Sequence, residues 1–174
     1  MWCVVRVLRD YGAAIENFAF VAPRYFNVAG CAGDGSLGED HHPETHLIPV
    51  ILQALLGQRE KVVVFGTDYP TPDGTCIRDY IHVEDLCEAH IVAMNALEPG
   101  DARFYNLGIG RGYSVKEVID SAERVTGKKV PVEYGPRRAG DPAALFANAQ
   151  KIRDELGWKA RHTEIDDVVA TAWR

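Results

Sequence analysis

The chain has 174 residues, 47% of them hydrophobic, and a formal net charge of −6. This size and apolar content suffice for a buried core, while the acidic balance disfavours nucleic acid or an anionic membrane surface as a partner, because both require a basic surface. The four cysteines form no CxxC pair and no apolar run reaches membrane-spanning length, so we expect a cytoplasmic protein with reduced thiols.

The first segments predict a helix followed by a buried strand. Helical spacing of apolar residues covers residues 2–11, and an apolar run begins at Phe18 and continues past Pro23 to a glycine turn at Gly30. Asn27 is expected near the exit of this strand. Polar residues at such exits contact ligands in α/β proteins, although an asparagine that satisfies its own turn is equally common.

A glycine pattern at residues 33–38 matches the letters of the G-x-G-x-x-G dinucleotide motif. No helix is predicted after it, and Glu39 and Asp40 follow where a pyrophosphate would need backbone donors. We therefore do not interpret it as a cofactor motif.

Three nearby histidines, His41, His42 and His46, lie among acidic residues and suggest a metal site. His42 and His46 could share a helix face, but Pro43 lies between them and no HExxH pattern is present. The sequence therefore predicts no metal site.

Residues 46–56 predict a mostly apolar, buried helix, with Thr45 as its N-cap, Pro49 in its first turn and Gly57 at its end. A strand-like run follows at residues 61–65.

Residues 66–85 form the most distinctive stretch. Glycines and prolines make this predicted loop stiff in some places and sharply turned in others, and the loop carries Arg78. A planar, permanently charged guanidinium on a stiff loop is suited to bidentate contact with a phosphate or carboxylate. The alternative is a surface loop in which Arg78 pairs with Asp79 or Asp85.

The rest of the chain alternates helices and strands. An amphipathic helix over residues 83–97 carries His90 as a packing residue, and a capping box at Ser114 and Glu117 starts a helix that ends at Gly127. Short strands are predicted at residues 104–107 and 130–134, and two final helices run through Ile152 and Leu156 and from a Thr163 cap to Trp173. This order, with few hairpin signals, predicts an α/β layer architecture.

A second stiff loop, at residues 135–142, carries Arg137 and Arg138 between glycines and prolines. Adjacent arginines are either a solvated charge pair or half of an anion clamp, of which Arg78 would be the other half.

Five segments resemble the carboxy-terminal half of the UDP-glucose 4-epimerase family of extended short-chain dehydrogenases/reductases. They are R-Y-F-N at residues 24–27, the stretch 66–85, Y-N-L-G at 105–108, R-R-A-G-D at 137–141 and L-G-W at 156–158. The resemblance implies partial Rossmann-like parallel sheet elements, from the NAD-binding domain, in residues 1–30 and 75–112. It implies a small α/β substrate-binding domain, mainly for a UDP-sugar, in residues 31–74 and 113–174.

The resemblance also implies a binding site for UDP-glucose and UDP-galactose. Asn27 would bind the diphosphate, and Phe26 would reach the nicotinamide of NAD. The other implied substrate contacts are Arg78, Arg138 and Asp141 at the diphosphate and ribose, His46, Leu47, Val63, Val64 and Phe65 at the nucleotide end, and Leu145 near the sugar C2 substituent.

In this family a bound NAD+ takes a hydride from C4 of the sugar, and the tyrosine of a Tyr-x-x-x-Lys motif removes the hydroxyl proton. Counting back from Leu8 places the lysine of that motif at Met1, and the NAD glycine motif is not found either. We therefore expect the isolated chain to be inactive and to self-associate through exposed apolar surface. Its expected partners are an amino-terminal half and a second copy in a homodimer. The alternatives are a non-catalytic UDP-sugar-binding remnant and an epimerase for another sugar, such as UDP-N-acetylglucosamine.

Overall fold

A computed structural model describes residues 2–174, in which we distinguish six helices and nine short strands. Met1, the position of the implied lysine, lies outside the described residues. The helices are α1 (Trp2–Ala14), α2 (Leu47–Leu55), α3 (Val83–Asn95), α4 (Val115–Thr126), α5 (Gln150–Leu156) and α6 (Ile165–Ala172). The strands are β1 (Phe20–Arg24), β2 (Asn27–Ala29), β3 (Val62–Phe65), β4 (Ile77–Arg78), β5 (Tyr80–His82), β6 (Ala102–Asn106), β7 (Tyr113–Ser114), β8 (Val132–Gly135) and β9 (Ala144–Leu145).

The strands pair over long sequence separations and form four small sheets. β1 pairs with β6, β2 with β5 and β3 with β8, all in parallel, whereas β4 lies between the antiparallel β7 and the parallel β9. Parallel strands cannot be joined by a tight turn, so long connections that contain helices link each parallel pair. The predicted α/β class is confirmed.

Two buried clusters hold these layers together. One lies among α2, α4, α6 and β3 and includes Ile51, Val118 and Val169. The other lies among α3, α5 and β6 and includes Ala89 and Ile152. Burial of one large aliphatic side chain contributes about 1.5–3 kcal/mol, so these clusters are the main source of stability. Within residues 2–174, every helix is too short or too polar to cross a bilayer.

The single strand predicted to end at Gly30 is wrong, because the chain forms two strands there. The carbonyl of Arg24, at the end of β1, accepts a hydrogen bond from Leu107 N, whereas Asn27 N donates to the Asp79 carbonyl beside β5. The backbone changes partner between these positions. Asn27 therefore begins β2 and does not stand at a strand exit.

The interpretation of residues 66–85 as a loop is wrong in its second part. Residues 77–78 form β4, and residues 80–82 form β5, which runs straight into α3. Strands of two or three residues are too short to show an alternating pattern, and their partners lie far away in the sequence.

The two threonine caps are wrong, whereas the capping box is confirmed. The α2 N-cap is His46, without a side-chain cap, and the α6 N-cap is Glu164. Thr163 is involved only through its carbonyl, which accepts a hydrogen bond from the Tyr113 hydroxyl, and that hydroxyl in turn accepts one from Ile165 N. A distant tyrosine therefore performs part of the expected capping, while Ser114 caps α4 as predicted.

Candidate functional site

A cleft of about 530 Å³ opens between β2, the start of α2, β3, β4 and the loop after β8. It collects residues from six separate parts of the chain. The predicted substrate contacts on its wall are Asn27, His46, Leu47, Val63, Val64, Phe65, Arg78, Arg138 and Asp141. Their individual roles stay predictions. Their convergence brings charged, amide and apolar side chains together in one cleft.

Two predicted site residues do not line the cleft. Leu145 lies in the edge strand β9, directly beside Arg78 in the parallel pairing, and is 38% exposed. Phe26 lies between β1 and β2 and is 42% exposed. The roles implied for them, at the sugar C2 substituent and the nicotinamide, stay predictions.

Arg78 is held in place by the backbone around it. Its Nη1 donates to the carbonyls of Ile77 and Pro142, both at 2.8 Å, and its Nη2 lies 3.5 Å from Asp141 Oδ1. The side chain is only 14% exposed. Because a guanidinium has five N–H donors, these contacts orient the fork and leave donors for an anionic ligand.

The alternative partners proposed for Arg78 are engaged elsewhere. Asp79 is buried and accepts hydrogen bonds from Ile109 N at 3.3 Å and Ala147 N at 3.1 Å. Burial raises the pKa of Asp79, and these two backbone donors partly oppose that rise. Asp85 accepts hydrogen bonds from the backbone of residues 161–162. The interpretation of Arg78 as a surface residue paired with either aspartate is wrong.

The two adjacent arginines of the second loop have different surroundings. Arg137 pairs with Asp68 Oδ1 at 2.6 Å and stacks over Tyr69, which ties the loop after β8 to the loop after β3. Arg138 lies on the cleft wall, with its guanidinium carbon 4.6 Å from the centre of the Phe65 ring. Only Arg138 of this pair therefore faces a ligand cavity.

Asn27 is oriented by its neighbouring strand. Its Nδ2 donates to the Asp79 carbonyl at 2.9 Å, and its backbone N donates to the same oxygen at 3.3 Å. The side-chain amide has a second N–H, which is a donor for a ligand in the cleft. The asparagine does not satisfy its own turn.

The sequence interpretation did not include several residues of the cleft wall. These are Glu44, Arg59, Lys61, Cys76, Tyr80 and Val115, together with neighbours of the predicted residues. Arg59 and Lys61 both lie just before β3, and this pair of cations next to a strand is the signal that could have identified them. Burial raises the pKa of both Cys76 and Tyr80, so neither supplies a base at neutral pH.

The glycine-rich turn at residues 108–112, between β6 and α4, does not fit a dinucleotide pyrophosphate. The backbone N–H of Ile109 already donates to Asp79, and a Cβ at Gly108 would clash with the same carboxylate. A pyrophosphate needs free N–H donors at such a turn. The buried Asp79 carboxylate already occupies the position that a ligand pyrophosphate would need.

The glycine pattern at residues 33–38 does not fit either. Gly33 N donates to Glu84 Oε1 at 2.9 Å, and the next helix after this segment begins only at Leu47. Within residues 2–174, neither glycine-rich segment therefore offers a pyrophosphate cradle for NAD.

A model of the NAD dependent epimerase/dehydratase family matches residues 2–108 of the chain. The chain is similar to the UDP-glucose 4-epimerase of Lacticaseibacillus casei, with 52% identity over 155 residues, which cover 88% of this chain and 47% of the relative.

Solved structures agree. One is the UDP-glucose-4-epimerase from Stenotrophomonas maltophila with bound NAD and formylated UDP-arabinopyranose, with a TM-score of 0.93, 41% identity, and coverage of 99% of this chain and 52% of that chain. Another is the UDP-glucose 4-epimerase from Bifidobacterium longum in complex with NAD+ and UDP, with a TM-score of 0.89, 43% identity, and coverage of 97% and 50%. The chain spans about half the length of the curated relatives it matches, and the expected extended short-chain dehydrogenase/reductase fold is confirmed.

Proposed function

The chain belongs to the NAD dependent epimerase/dehydratase family, and we propose that it is the UDP-sugar-binding part of a UDP-glucose 4-epimerase. The reaction proposed for the complete enzyme is the interconversion of UDP-glucose and UDP-galactose.

The observation that carries this proposal is the pair of arginines, Arg78 and Arg138, on one cleft wall. A diphosphate carries about two negative charges, and guanidinium groups give it charge-assisted hydrogen bonds. The net charge of the chain is −6, so the attraction must come from such local cations. Asn27, at the start of β2, adds a neutral donor to the same wall.

The rest of the wall suits a nucleoside. Leu47, Val63 and Val64 provide apolar surface, and the Phe65 ring adds an aromatic face. A base and ribose need such a surface with a few polar groups to fix their orientation. We propose that Asp141 accepts a hydrogen bond from ribose, and that His46 contacts the nucleotide end.

We propose that the chain alone binds UDP-sugar without converting it. None of its seven tyrosines is followed four residues later by a lysine, so no residue pair here matches the proton-removing motif of the family. NAD is proposed as the cofactor of the complete enzyme, with Phe26 as the one contact from this chain. The glycine-rich turns at residues 33–38 and 108–112 do not fit the dinucleotide pyrophosphate.

Calorimetry with UDP and UDP-glucose tests the binding proposal. The native chain is expected to bind UDP, and Arg78→Ala to weaken binding at least about tenfold, since it removes an oriented charged donor. Arg124→Ala is the matched control, because Arg124 pairs with Asp166 and neither residue lines the cleft. Undetectable UDP binding by the native chain would overturn the proposal.

Recombination with a separately expressed amino-terminal half tests the activity. Appearance of UDP-galactose from UDP-glucose in the mixture is expected. UDP binding without any turnover in the mixture would instead support the non-catalytic alternative. Product analysis with UDP-N-acetylglucosamine as the substrate tests the remaining alternative, an epimerase for another UDP-sugar.

We further propose that the chain alone self-associates, in keeping with a homodimer as the complete form. Val4, Val7 and Tyr11 of α1 are all more than half exposed, and exposed apolar side chains on one helix favour association. Sedimentation velocity is expected to reveal dimers or larger species. A single monomeric boundary at high concentration would contradict this.

A further inference from the structure

Four side chains crowd together in the loop before α2, on a wall that the cleft shares with a smaller cavity of about 340 Å³. His46 Nδ1 lies 2.8 Å from Glu39 Oε1 and 2.9 Å from Glu44 Oε1. His41 Nδ1 lies 3.8 Å from the same Glu44 oxygen, and the two imidazole centres are 4.9 Å apart. These four residues are called the histidine cluster below.

We propose that the histidine cluster is a binding site for a divalent transition-metal ion of the zinc class. Two imidazole nitrogens and one carboxylate oxygen, from His41, His46 and Glu44, lie within 4.8 Å of one another, and Glu39 adds a second carboxylate beside His46. This mixed nitrogen and oxygen donor set suits Zn²⁺ and its transition-metal neighbours. Mg²⁺ and Ca²⁺ prefer sites built from oxygen alone. This site goes beyond UDP-sugar binding and does not depend on it.

The distances fit a tetrahedral ion. Ligand atoms about 2.0–2.2 Å from a tetrahedral ion lie about 3.3–3.6 Å from each other. Three separations between donor atoms of the histidine cluster are 2.8, 2.9 and 3.8 Å, on either side of this range. Side-chain rotations would bring these atoms to the tetrahedral spacing.

The surroundings provide both a fixed ligand and an entry path. The Glu44 side chain is only 5% exposed, and its carboxylate accepts hydrogen bonds from the backbone N of Thr45 and of His46, both at 2.7 Å. Such bonds orient a metal ligand. His41 and His46 are each about half exposed, so an ion can reach them from solvent.

The sequence predicted no metal site, because Pro43 lies between His42 and His46 and no HExxH pattern is present. The structure pairs His46 with His41 instead and does so in a loop, where helical spacing does not apply.

A second group of possible ligands, at His82, Glu84 and His162, is less suitable. The Nδ1 of the buried His82 accepts a hydrogen bond from Glu84 N, and its Nε2 contacts the Thr171 hydroxyl at 2.9 Å. Both ring nitrogens are thus in use, and a metal would have to break a buried hydrogen bond.

Calorimetric titration of the untagged 174-residue chain with ZnCl₂, in the presence of a non-thiol reductant, tests the proposal. The native chain is expected to bind Zn²⁺, and His41→Ala to bind it about tenfold more weakly, because one of two imidazole ligands is lost. His42→Ala is the matched control, since it removes the adjacent histidine, which is not in the cluster. Excess Mg²⁺ is expected not to displace Zn²⁺.

His41 is half exposed, so its replacement should leave the fold intact, and circular dichroism checks this. Glu39→Gln gives an independent variant with the same expected direction. All variants keep the same cysteines, so zinc binding by thiols cannot cause a difference in zinc affinity between the variants. The proposal is overturned if His41→Ala changes the affinity by less than about threefold, if His42→Ala weakens it equally, or if the native chain does not bind Zn²⁺.

Discussion

The two arginine-bearing loops of the cleft differ in how they are built. The first loop, residues 66–76, is closed by its own hydrogen bonds, including Tyr69 N to the Gly74 carbonyl at 2.9 Å and Thr71 Oγ1 to the Thr75 carbonyl at 2.7 Å. The second loop, residues 135–143, is largely exposed and has a longer internal bond, from Asp141 N to the Arg138 carbonyl at 3.3 Å.

Because of this difference, the two arginine side chains are held with different firmness before a ligand binds. Arg78 follows the first loop and is fixed by two carbonyls before any ligand arrives, so little side-chain entropy is left to lose on binding. Arg138 belongs to the second loop and rests on the Phe65 ring. One arginine therefore fixes the position of the anion, and the other can adjust to it.

The largest expected effect comes from a matched pair of glycine substitutions, one in each loop. Gly74 and Gly140 both have positive φ, but a Cβ at Gly74 would collide with the Thr67 carbonyl, whereas no atom lies within 4 Å of one at Gly140. We expect Gly74→Ala to lower the free energy of unfolding by more than about 3 kcal/mol, and Gly140→Ala by about 1 kcal/mol. Urea unfolding measures both, and equal losses would contradict the contrast between the loops.

The next effect concerns Asp73, which anchors the first loop. Its carboxylate accepts hydrogen bonds from the backbone N and the hydroxyl of Thr75, both at 2.8 Å, and from the Ser114 hydroxyl. Replacement by asparagine loses the acceptor for Ser114, so we expect Asp73→Asn to lower the free energy of unfolding by about 2 kcal/mol at pH 7.

The pKa of Asp73 determines how the stability loss caused by Asp73→Asn changes with pH. Burial opposes the charge on Asp73, but the hydrogen bonds from Ser114 and Thr75 outweigh it and lower the pKa of Asp73. Its stabilising contribution is therefore present above the unfolded-state pKa, about 3.9, and is lost as the pH falls through the lower folded-state value. Urea titrations at pH 7 and near pH 3 should show the Asp73→Asn difference shrinking; a constant difference would rule out this origin.

A smaller effect separates the neighbours Arg137 and Arg138. Arg138→Ala removes a cation from the cleft wall and is expected to weaken UDP binding about fivefold to tenfold, less than Arg78→Ala because Arg138 is less fixed. Arg137→Ala removes the same charge from the chain but breaks contacts with Asp68 and Tyr69, which are not on the cleft wall. Calorimetry should find its UDP affinity within about twofold of native. A larger loss from Arg137→Ala would mean that net charge, and not position, governs binding.

Local signals in the sequence were sufficient for several helices and for the α/β class. The capping box of Ser114 and Glu117 depends on two residues of the same turn, and it forms as predicted. The cap of α6 could not be found in this way, because Tyr113, some fifty residues away, provides the hydrogen bond to Ile165 N.

Long-range pairing also explains what was missed at the cleft. β5 exists because it pairs with β2, and Arg78 is positioned by Pro142 and Asp141, more than sixty residues later. No local pattern encodes such contacts. The resemblance to a known family identified many of the wall residues, whereas only the three-dimensional structure revealed what holds them in place.

Hydrogen–deuterium exchange with and without saturating UDP tests the central claim, that this chain holds a nucleotide diphosphate in the larger cleft. We predict slower exchange in peptides covering residues 62–66, 76–78 and 135–141, and loss of that protection in Arg78→Ala. Protection confined to residues 30–38 and 172–174, beside the smaller cavity, or no change in any peptide, would contradict it.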